Sequence, residues 1–377
     1  MNSGNTVIIH FSPVEYYPPI QNLIKVLAAE SYSETAGRVF VFTTYGTYKE
    51  LKNFESDNTN IKIIRFGKSG NGIRKALRIY YYGLFYLGSL LYMLIKKPGK
   101  VLYYETMSSL PAIFYKRFVN KKTELFIHYH EYTTPEAYED GMKLTRMLHK
   151  QEKMLYPFAK WVSHTNDYRM RLFEKDIFPL KILNPQIMPN YPSREWLKET
   201  KLPNKNFIKA VYVGSLSLDT MFTREFANWV LKQNGKVKWD IYSYNITNDA
   251  RQFIQSLNSA FIELKGGTDY YELPSILAKY DAGIILYTGH IPNYVYNAPN
   301  KLFEYLACGL DVWFPDEMQG IHCYETFNTY PKVLKIDFKK MDNFILKQAI
   351  NREECFLKMP SFFCEEALAP LKSELIC

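Results

Sequence analysis

Cysteine is scarce and late in this chain. None occurs before position 308, and Cys308, Cys323, Cys355, Cys364 and Cys377 form no C-x-x-C pair and no even-numbered framework. A disulfide scaffold is therefore excluded, and a reducing cytoplasm is the compartment that fits. A basic start followed by a long apolar region is also missing: residues 1–6 are polar and uncharged, so no secretory leader is expected. What the chain has is size and aromatic surface. Its 377 residues suffice for two domains with a core each, and 47% hydrophobic against 23% charged residues describes a folded globular protein with 31 Tyr and 25 Phe. The net charge of +9 favours an anionic partner, such as nucleic acid, a nucleotide or an acidic membrane surface, without choosing among them.

Apolar runs at 7–11, 39–43, 61–66, 101–104, 125–129 and 161–164 read as strands, with helical periodicity at 20–29 and 109–118 between them. Alternation of this kind predicts an α/β domain with a parallel sheet covered on both faces. Pro and charge are dense over 187–204, where periodic structure is not expected, and the rhythm restarts with strands at 210–213, 239–243, 261–264 and 310–314. The expected organisation is a first domain over 1–186, a hinge over 187–204, a second domain over 205–360 and a C-terminal helix over 361–377.

Residues 79–95 form an uncharged run of 17, short of the about 20 that a spanning helix needs. The run carries Tyr80, Tyr81, Tyr82, Tyr86 and Tyr92 and is flanked by Arg74, Lys75 and Arg78 before it and Lys96, Lys97 and Lys100 after it. Three readings stay open: a short spanning helix, a core helix of the first domain, or a helix resting on an acidic bilayer. In the third, residues 74–100 make a peripheral contact with the inner face of the membrane.

Strand ends in a parallel sheet face the ligand crevice, which places His130 and Glu131, just after the strand at 125–129, toward ligand rather than core. A His with a neighbouring Glu suits proton transfer or contact with a sugar hydroxyl, although the same residues could simply end a strand. His128 and His130 share a face, but no third spaced ligand accompanies them, so no metal is expected.

Most informative is the stretch 294–315. A polar loop, Asn297-Ala298-Pro299-Asn300, leads into a short helix that begins near Lys301 and Leu302 and ends at Gly309. A basic group over a helix N-terminus suits a pyrophosphate, and Glu304, one turn on, can accept two hydrogen bonds from a ribose diol. Upstream, Gly214-Ser215 follows the strand at 210–213, and Gly266-Gly267 precede Tyr270 and Tyr271, glycines that let a ligand approach main chain and aromatics that can stack on a base. The run Asn-Ala-Pro-Asn-Lys-Leu-Phe-Glu-Tyr-Leu-Ala-Cys-Gly at 297–309 resembles the nucleotide-sugar motif of GT-B glycosyltransferases, especially the retaining family-4 type. The Gly214 turn and the 266–287 block stand in that family's order.

The resemblance implies two Rossmann-like domains facing a cleft, the donor bound by the second and the acceptor by the first, and a last helix that crosses back to the first domain. It implies a nucleoside diphosphate sugar as donor substrate, no cofactor, no nucleic-acid partner and a glycan or lipid-linked acceptor. Lys301 and Glu304 then hold pyrophosphate and ribose. His130 and Glu131 are the candidate catalytic groups. The chain departs from the family in three places. No Gly-rich loop follows the first strand, only Arg224 lies near the Gly214 turn where an Arg and a Lys are usual, and Tyr296 stands where retaining relatives carry a Glu. His290 and Asn293 are therefore the expected contacts to the donor sugar. A nucleotide-sugar epimerase, a catalytically silent binding subunit and a basic membrane-surface scaffold stay open beside the transferase.

Overall fold

The computed structural model describes residues 4–29, 37–47, 52–70, 72–198, 207–350 and 355–376. Short runs of β-branched and aromatic residues buried on both faces are what parallel central strands require, and the chain supplies two sets. They belong to two compact units: Met1–Asn190 with Cys364–Cys377, and Tyr191–Phe363.

In the first unit β1 (Thr6–His10), β2 (Val39–Tyr45), β3 (Ile61–Lys68), β4 (Lys100–Tyr104), β5 (Glu124–Tyr129), β6 (Trp161–His164) and β7 (Pro185–Ile187) form one sheet in the order β3-β2-β1-β4-β5-β6-β7. All its pairings are parallel. Every residue of β1 is buried, in keeping with a strand covered on both sides. Helix α1 (Pro18–Ala28) follows a short 3-10 turn at Val14–Tyr16 and buries Ile20, Leu23, Ile24 and Leu27. Helix α2 (Lys75–Lys96) covers the uncharged run, and α3 (Ser109–Phe114) packs beside it.

Within the second unit β8 (Ile208–Val213), β9 (Val237–Tyr242), β10 (Ile262–Gly266), β11 (Ala282–Ile284), β12 (Asp311–Pro315) and β14 (Val333–Ile336) make a parallel sheet in the order β10-β9-β8-β11-β12-β14, while β13 (Thr329–Tyr330) pairs elsewhere. In both sheets the strand order runs outward from the first strand, reverses, and continues on its other side. This doubly wound arrangement is Rossmann-like, with a switch point between β1 and β4 and another between β8 and β11.

One expectation changes. The stretch 187–204 is not free of periodic structure: residue 187 lies in β7, and Arg194–Trp196 form a 3-10 turn whose Trp196 is buried in the second unit's core. Residues 199–204 lie outside the described residues. Of the three readings of 79–95, the core helix holds for one face of α2, whose Phe85 and Met93 belong to the first unit's core. Only Phe85, Ser89 and Met93 are buried on it, because a single narrow stripe meets the sheet and α3. Among the described residues no helix is long and apolar enough to cross a membrane.

The C-terminal helix (Cys364–Ile376) belongs to the first unit, where Leu368, Leu371 and Leu375 are buried and the Thr6 hydroxyl donates 2.9 Å to the Leu375 carbonyl. Leu371→Ala should leave a cavity and cost about 2–5 kcal/mol. The first unit's unfolding midpoint, followed by calorimetry, should fall accordingly. An unchanged midpoint would show that this helix is not part of that core.

Candidate functional site

At the second unit's switch point β8 runs into Gly214, whose φ is 132°. That backbone conformation favours glycine, and a Cβ there would sit 3.0 Å from the Lys301 ammonium. The helix Asn300–Ala307 begins directly after Pro299, which puts Lys301 in its first turn. The Tyr305 hydroxyl accepts the Val213 N–H at 3.1 Å and fastens the helix to the end of β8.

Lys301 is 9% exposed and lies between two tyrosines. Its Nζ donates to the Tyr212 hydroxyl at 3.3 Å and to the Tyr287 hydroxyl at 3.5 Å, and stands 4.5 Å and 5.0 Å from the centres of the same rings. Burial, the largest influence, works to lower its pKa. Interaction with Tyr212 and then Tyr287, with hydrogen bonds to both hydroxyls, outweighs it and holds the group above its ordinary value. The ammonium is thus charged at neutral pH, fixed and largely dry.

Glu304 is buried one turn on, and its carboxyl is pushed up to about 7 by burial, with the Lys301 charge and a hydrogen bond from Tyr270 opposing. Tyr270 stands 4.9 Å from Trp196 and 5.7 Å from Tyr271, ring centre to ring centre. Gly214, Tyr270, Lys301 and Glu304 are therefore one cluster. Ser215 joins it through its carbonyl, which accepts the Tyr212 hydroxyl at 2.5 Å.

The segment that carries His290 and Asn293 is tied to the same corner through Tyr294. Tyr287 stacks on Tyr294 at 4.7 Å, and His290 lies 5.3 Å from Tyr294 with its Nδ1 2.8 Å from the Thr288 hydroxyl. Asn293 is in the short helix Pro292–Val295. The loop is less polar than its sequence suggests, for Ala298 and Pro299 are buried while Asn297 keeps some surface and Asn300 is already helical. Leu302 is wholly buried and serves the core. Gly266 closes β10, and Gly267 beside it is covered by the Tyr244 ring. Arg224, in the helix Thr223–Lys232, holds its guanidinium 4.8 Å from the centre of the Phe253 ring on the neighbouring helix Asn248–Ser256.

At the first unit's switch point β1 ends in His10 and β4 in Tyr104, with His128 and His130 contributed by β5 and the turn after it. His130 is 5% exposed rather than displayed, because aromatic rings close around it. Its ring stacks on Tyr104 at 5.0 Å and Tyr17 at 5.9 Å, and its Nδ1 is 3.3 Å from His128 Nε2. Burial lowers the pKa of His130 to about 4 and that of His10 to about 3, so both are neutral at physiological pH. Among the described residues His130 Nε2, His10 Nδ1 and the Tyr104 hydroxyl are buried without a hydrogen-bond partner of good geometry, although Asn190 and the Ser12 main chain act on the two rings, and a bound hydroxyl would remove that cost. Glu131, the next residue, is exposed.

Sequence reasoning missed Glu105. Its φ of 62° and ψ of 154° lie in a region that is almost confined to glycine, a strain of about 1–3 kcal/mol. The carboxylate oxygen Oε1 accepts the His130 N–H at 2.6 Å and the Glu131 N–H at 3.2 Å. Burial first and the Glu131 charge second push its pKa up to about 8, against those two hydrogen bonds. No motif marks this residue, since a strained φ leaves no sequence signal. His10, Tyr212 and Tyr287 were also missed, although the strand-end rule that selected His130 applies to them. Among the described residues no group of three or more His, Cys, Asp or Glu is arranged to hold a metal ion.

No known family's sequence pattern matches the chain, and no curated protein matches it. Solved structures do. Sucrose-phosphate synthase from Thermosynechococcus elongatus is 14% identical with a TM-score of 0.63, over 90% of this chain and 87% of that one. An E. coli trehalose-6-phosphate protein bound with UDP-2-fluoro glucose is 11% identical with a TM-score of 0.60, over 99% of this chain and 96% of that one. UDP-GlcNAc 2-epimerase from Methanocaldococcus jannaschii is 8% identical with a TM-score of 0.57, over 98% and 99%. With two doubly wound parallel sheets and likeness over nearly its whole length, this chain has the GT-B glycosyltransferase fold.

Proposed function

We propose that this protein transfers a glycosyl group from a nucleoside diphosphate sugar to a hydroxyl of a glycan or lipid-linked acceptor, with retention at the anomeric carbon, in glycan or polysaccharide assembly. The observation that carries the proposal is the fixed ammonium of Lys301 at the second switch point, one helical turn from the buried carboxyl of Glu304.

In this reading Lys301 and the first turn of its helix balance the charge that grows on the leaving diphosphate. A donor group that need not move as charge develops is the source of electrostatic catalysis. The positive charge comes from the protein, so no metal or cofactor is invoked. Glu304 accepts the ribose hydroxyls, Tyr270 and the Gly266-Gly267 turn frame the base, Gly214 and Ser215 admit the diphosphate, and His290 and Asn293 contact the sugar. His130 takes the acceptor: a neutral imidazole with a pKa of about 4 is a weak base at neutral pH, so it orients a hydroxyl better than it deprotonates one. Glu105 positions the His130-Glu131 turn through its two backbone hydrogen bonds.

A second reading, a nucleotide-sugar epimerase, has in its favour the two carboxyls Glu105 and Glu131 beside His130. Incubation with a panel of nucleotide sugars, with and without acceptors, separates the possibilities. A transferase releases nucleoside diphosphate when the acceptor is present, an epimerase changes the sugar without one, and a silent subunit binds without turnover.

Three outcomes are expected of variants. Glu304→Ala should weaken donor binding roughly ten- to hundredfold by calorimetric titration, the worth of a charged hydrogen-bond pair. Unchanged affinity sinks the ribose assignment. Glu304 also sets a pH dependence. Its folded pKa lies above the ordinary carboxylate value, so without ligand its contribution to stability is largest below about 4.5 and declines as pH rises toward about 7. Donor binding, which uses the ionised form, should run the other way, strengthening up to and through about 7. A flat profile in Glu304→Gln is the corresponding check. Finally, Glu105→Ala should lower turnover at least about tenfold, with Glu105→Gln recovering much of it because an amide oxygen can accept the same two N–H groups. Equal loss in both variants would remove Glu105 from a positioning role.

A further inference from the structure

The helix α2 is apolar on two faces, and only one is used. Phe85, Ser89 and Met93, four residues apart, are the buried stripe. On the opposite side Leu77, Tyr80, Leu84, Leu87, Leu91 and Leu94, at alternating spacings of three and four, form a continuous exposed stripe, with Leu87 at 58% exposure. At the helix ends Ile79 and Ile95 are 63% and 71% exposed. Next to α2, the helical turn Tyr115–Val119 that continues α3 exposes Phe118 at 66%, with Phe114 5.0 Å from it and the Arg117 guanidinium over its ring.

Charge decides what covers this surface. Residues 58–104 contain no Asp or Glu, and neither do residues 106–123. Basic residues stand at both ends of the stripe, Arg74, Lys75 and Arg78 before it and Lys96 and Lys97 after it, and Arg117, Lys121 and Lys122 follow Phe114. A second copy of the chain is a poor occupant, because pairing two α2 helices brings basic ends against basic ends in either direction. An anionic bilayer fits on both counts. We infer that the outer face of α2, with the Phe114–Phe118 edge beside it, is a docking surface for anionic membrane. The helix lies flat, leucines and tyrosines enter the headgroup boundary, and the lysines and arginines at its two ends take the lipid phosphates. This inference does not depend on the sugar chemistry.

The test is sedimentation of the full chain with vesicles of phosphatidylcholine alone or mixed with phosphatidylglycerol. Binding should be confined largely to the anionic vesicles and weaken as salt rises. The double variant Leu87→Asp, Leu91→Asp changes exposed positions, so its melting temperature should match the parent, while its partitioning falls at least about tenfold. Arg74→Glu with Lys97→Glu should lose the preference for anionic lipid. Undiminished binding by the leucine variant, equal binding of the parent to both vesicle types, or a parent dimer that the leucine variant converts to monomer without any vesicle binding would each overturn the inference.

Discussion

An ammonium removed from water must find compensation where it sits, and the second unit is arranged around giving that to Lys301. Its two tyrosines come from the end of β8 and from the stretch that follows β11, so the cation lies beside the switch point. Gly214 holds a backbone conformation that favours glycine, a Cβ there would press on the lysine ammonium at 3.0 Å, and the Tyr305 bond to Val213 fixes the helix that carries it. A lysine on a flexible surface would follow its ligand; this one cannot. Lys301 also draws the Glu304 pKa down without cancelling the burial that raises it. The carboxyl accordingly titrates near neutrality with Tyr270 donating to it, and on the proposed function it takes a neutral polyol.

The first unit solves a different problem at the equivalent place. It gathers imidazoles held neutral by burial, phenols, and a carboxyl with a pKa of about 8. The buried cation nearby, Arg169, is engaged by the His130 carbonyl at 2.6 Å and the Thr165 hydroxyl at 2.9 Å, while among the described residues unpartnered polar atoms are present where a hydroxyl would use them. On the proposed function the division is chemical: the anionic substrate goes to the unit with the buried ammonium, and the uncharged acceptor group to the unit with neutral hydrogen-bonding side chains. Glu105 shows that the second arrangement is maintained against a cost, because a non-glycine residue at φ 62° persists only where the surroundings over-determine it.

Much of this was legible in the sequence, for reasons that also explain what was not. Alternating strand and helix patterns announce parallel sheets, and residues at strand ends are thereby nominated, which singled out His130 and Gly214, whereas the Lys301 loop stood out as a polar lead into a short helix. The last helix showed its buried side through Leu368, Leu371 and Leu375. The partners of Lys301 were hidden because Tyr212 lies 89 residues away and nothing local specifies the pairing. The same holds for the burial of His130, which is produced by His10, Tyr17 and Tyr104 from other parts of the chain. Arg224, the basic residue that follows the Gly214 turn, lies over the Phe253 ring, a pairing that nothing local in the sequence signals.

The uncharged run resisted sequence reading for a more basic cause. Periodicity reveals one apolar face against a polar one, and α2 has no polar face along its middle, so the pattern cannot say which side meets the sheet. The structure resolves this by showing that the inward contacts need only Phe85, Ser89, Met93 and the half-buried tyrosines Tyr82, Tyr86 and Tyr92. The outer leucines then contribute little to holding the first unit together, since residues that remain exposed gain little from folding. A fold does not require them, and water disfavours them. Their alternation at three and four residues, with cations at both ends and carboxylates absent, is a requirement of whatever the helix faces outward, not of the sheet behind it.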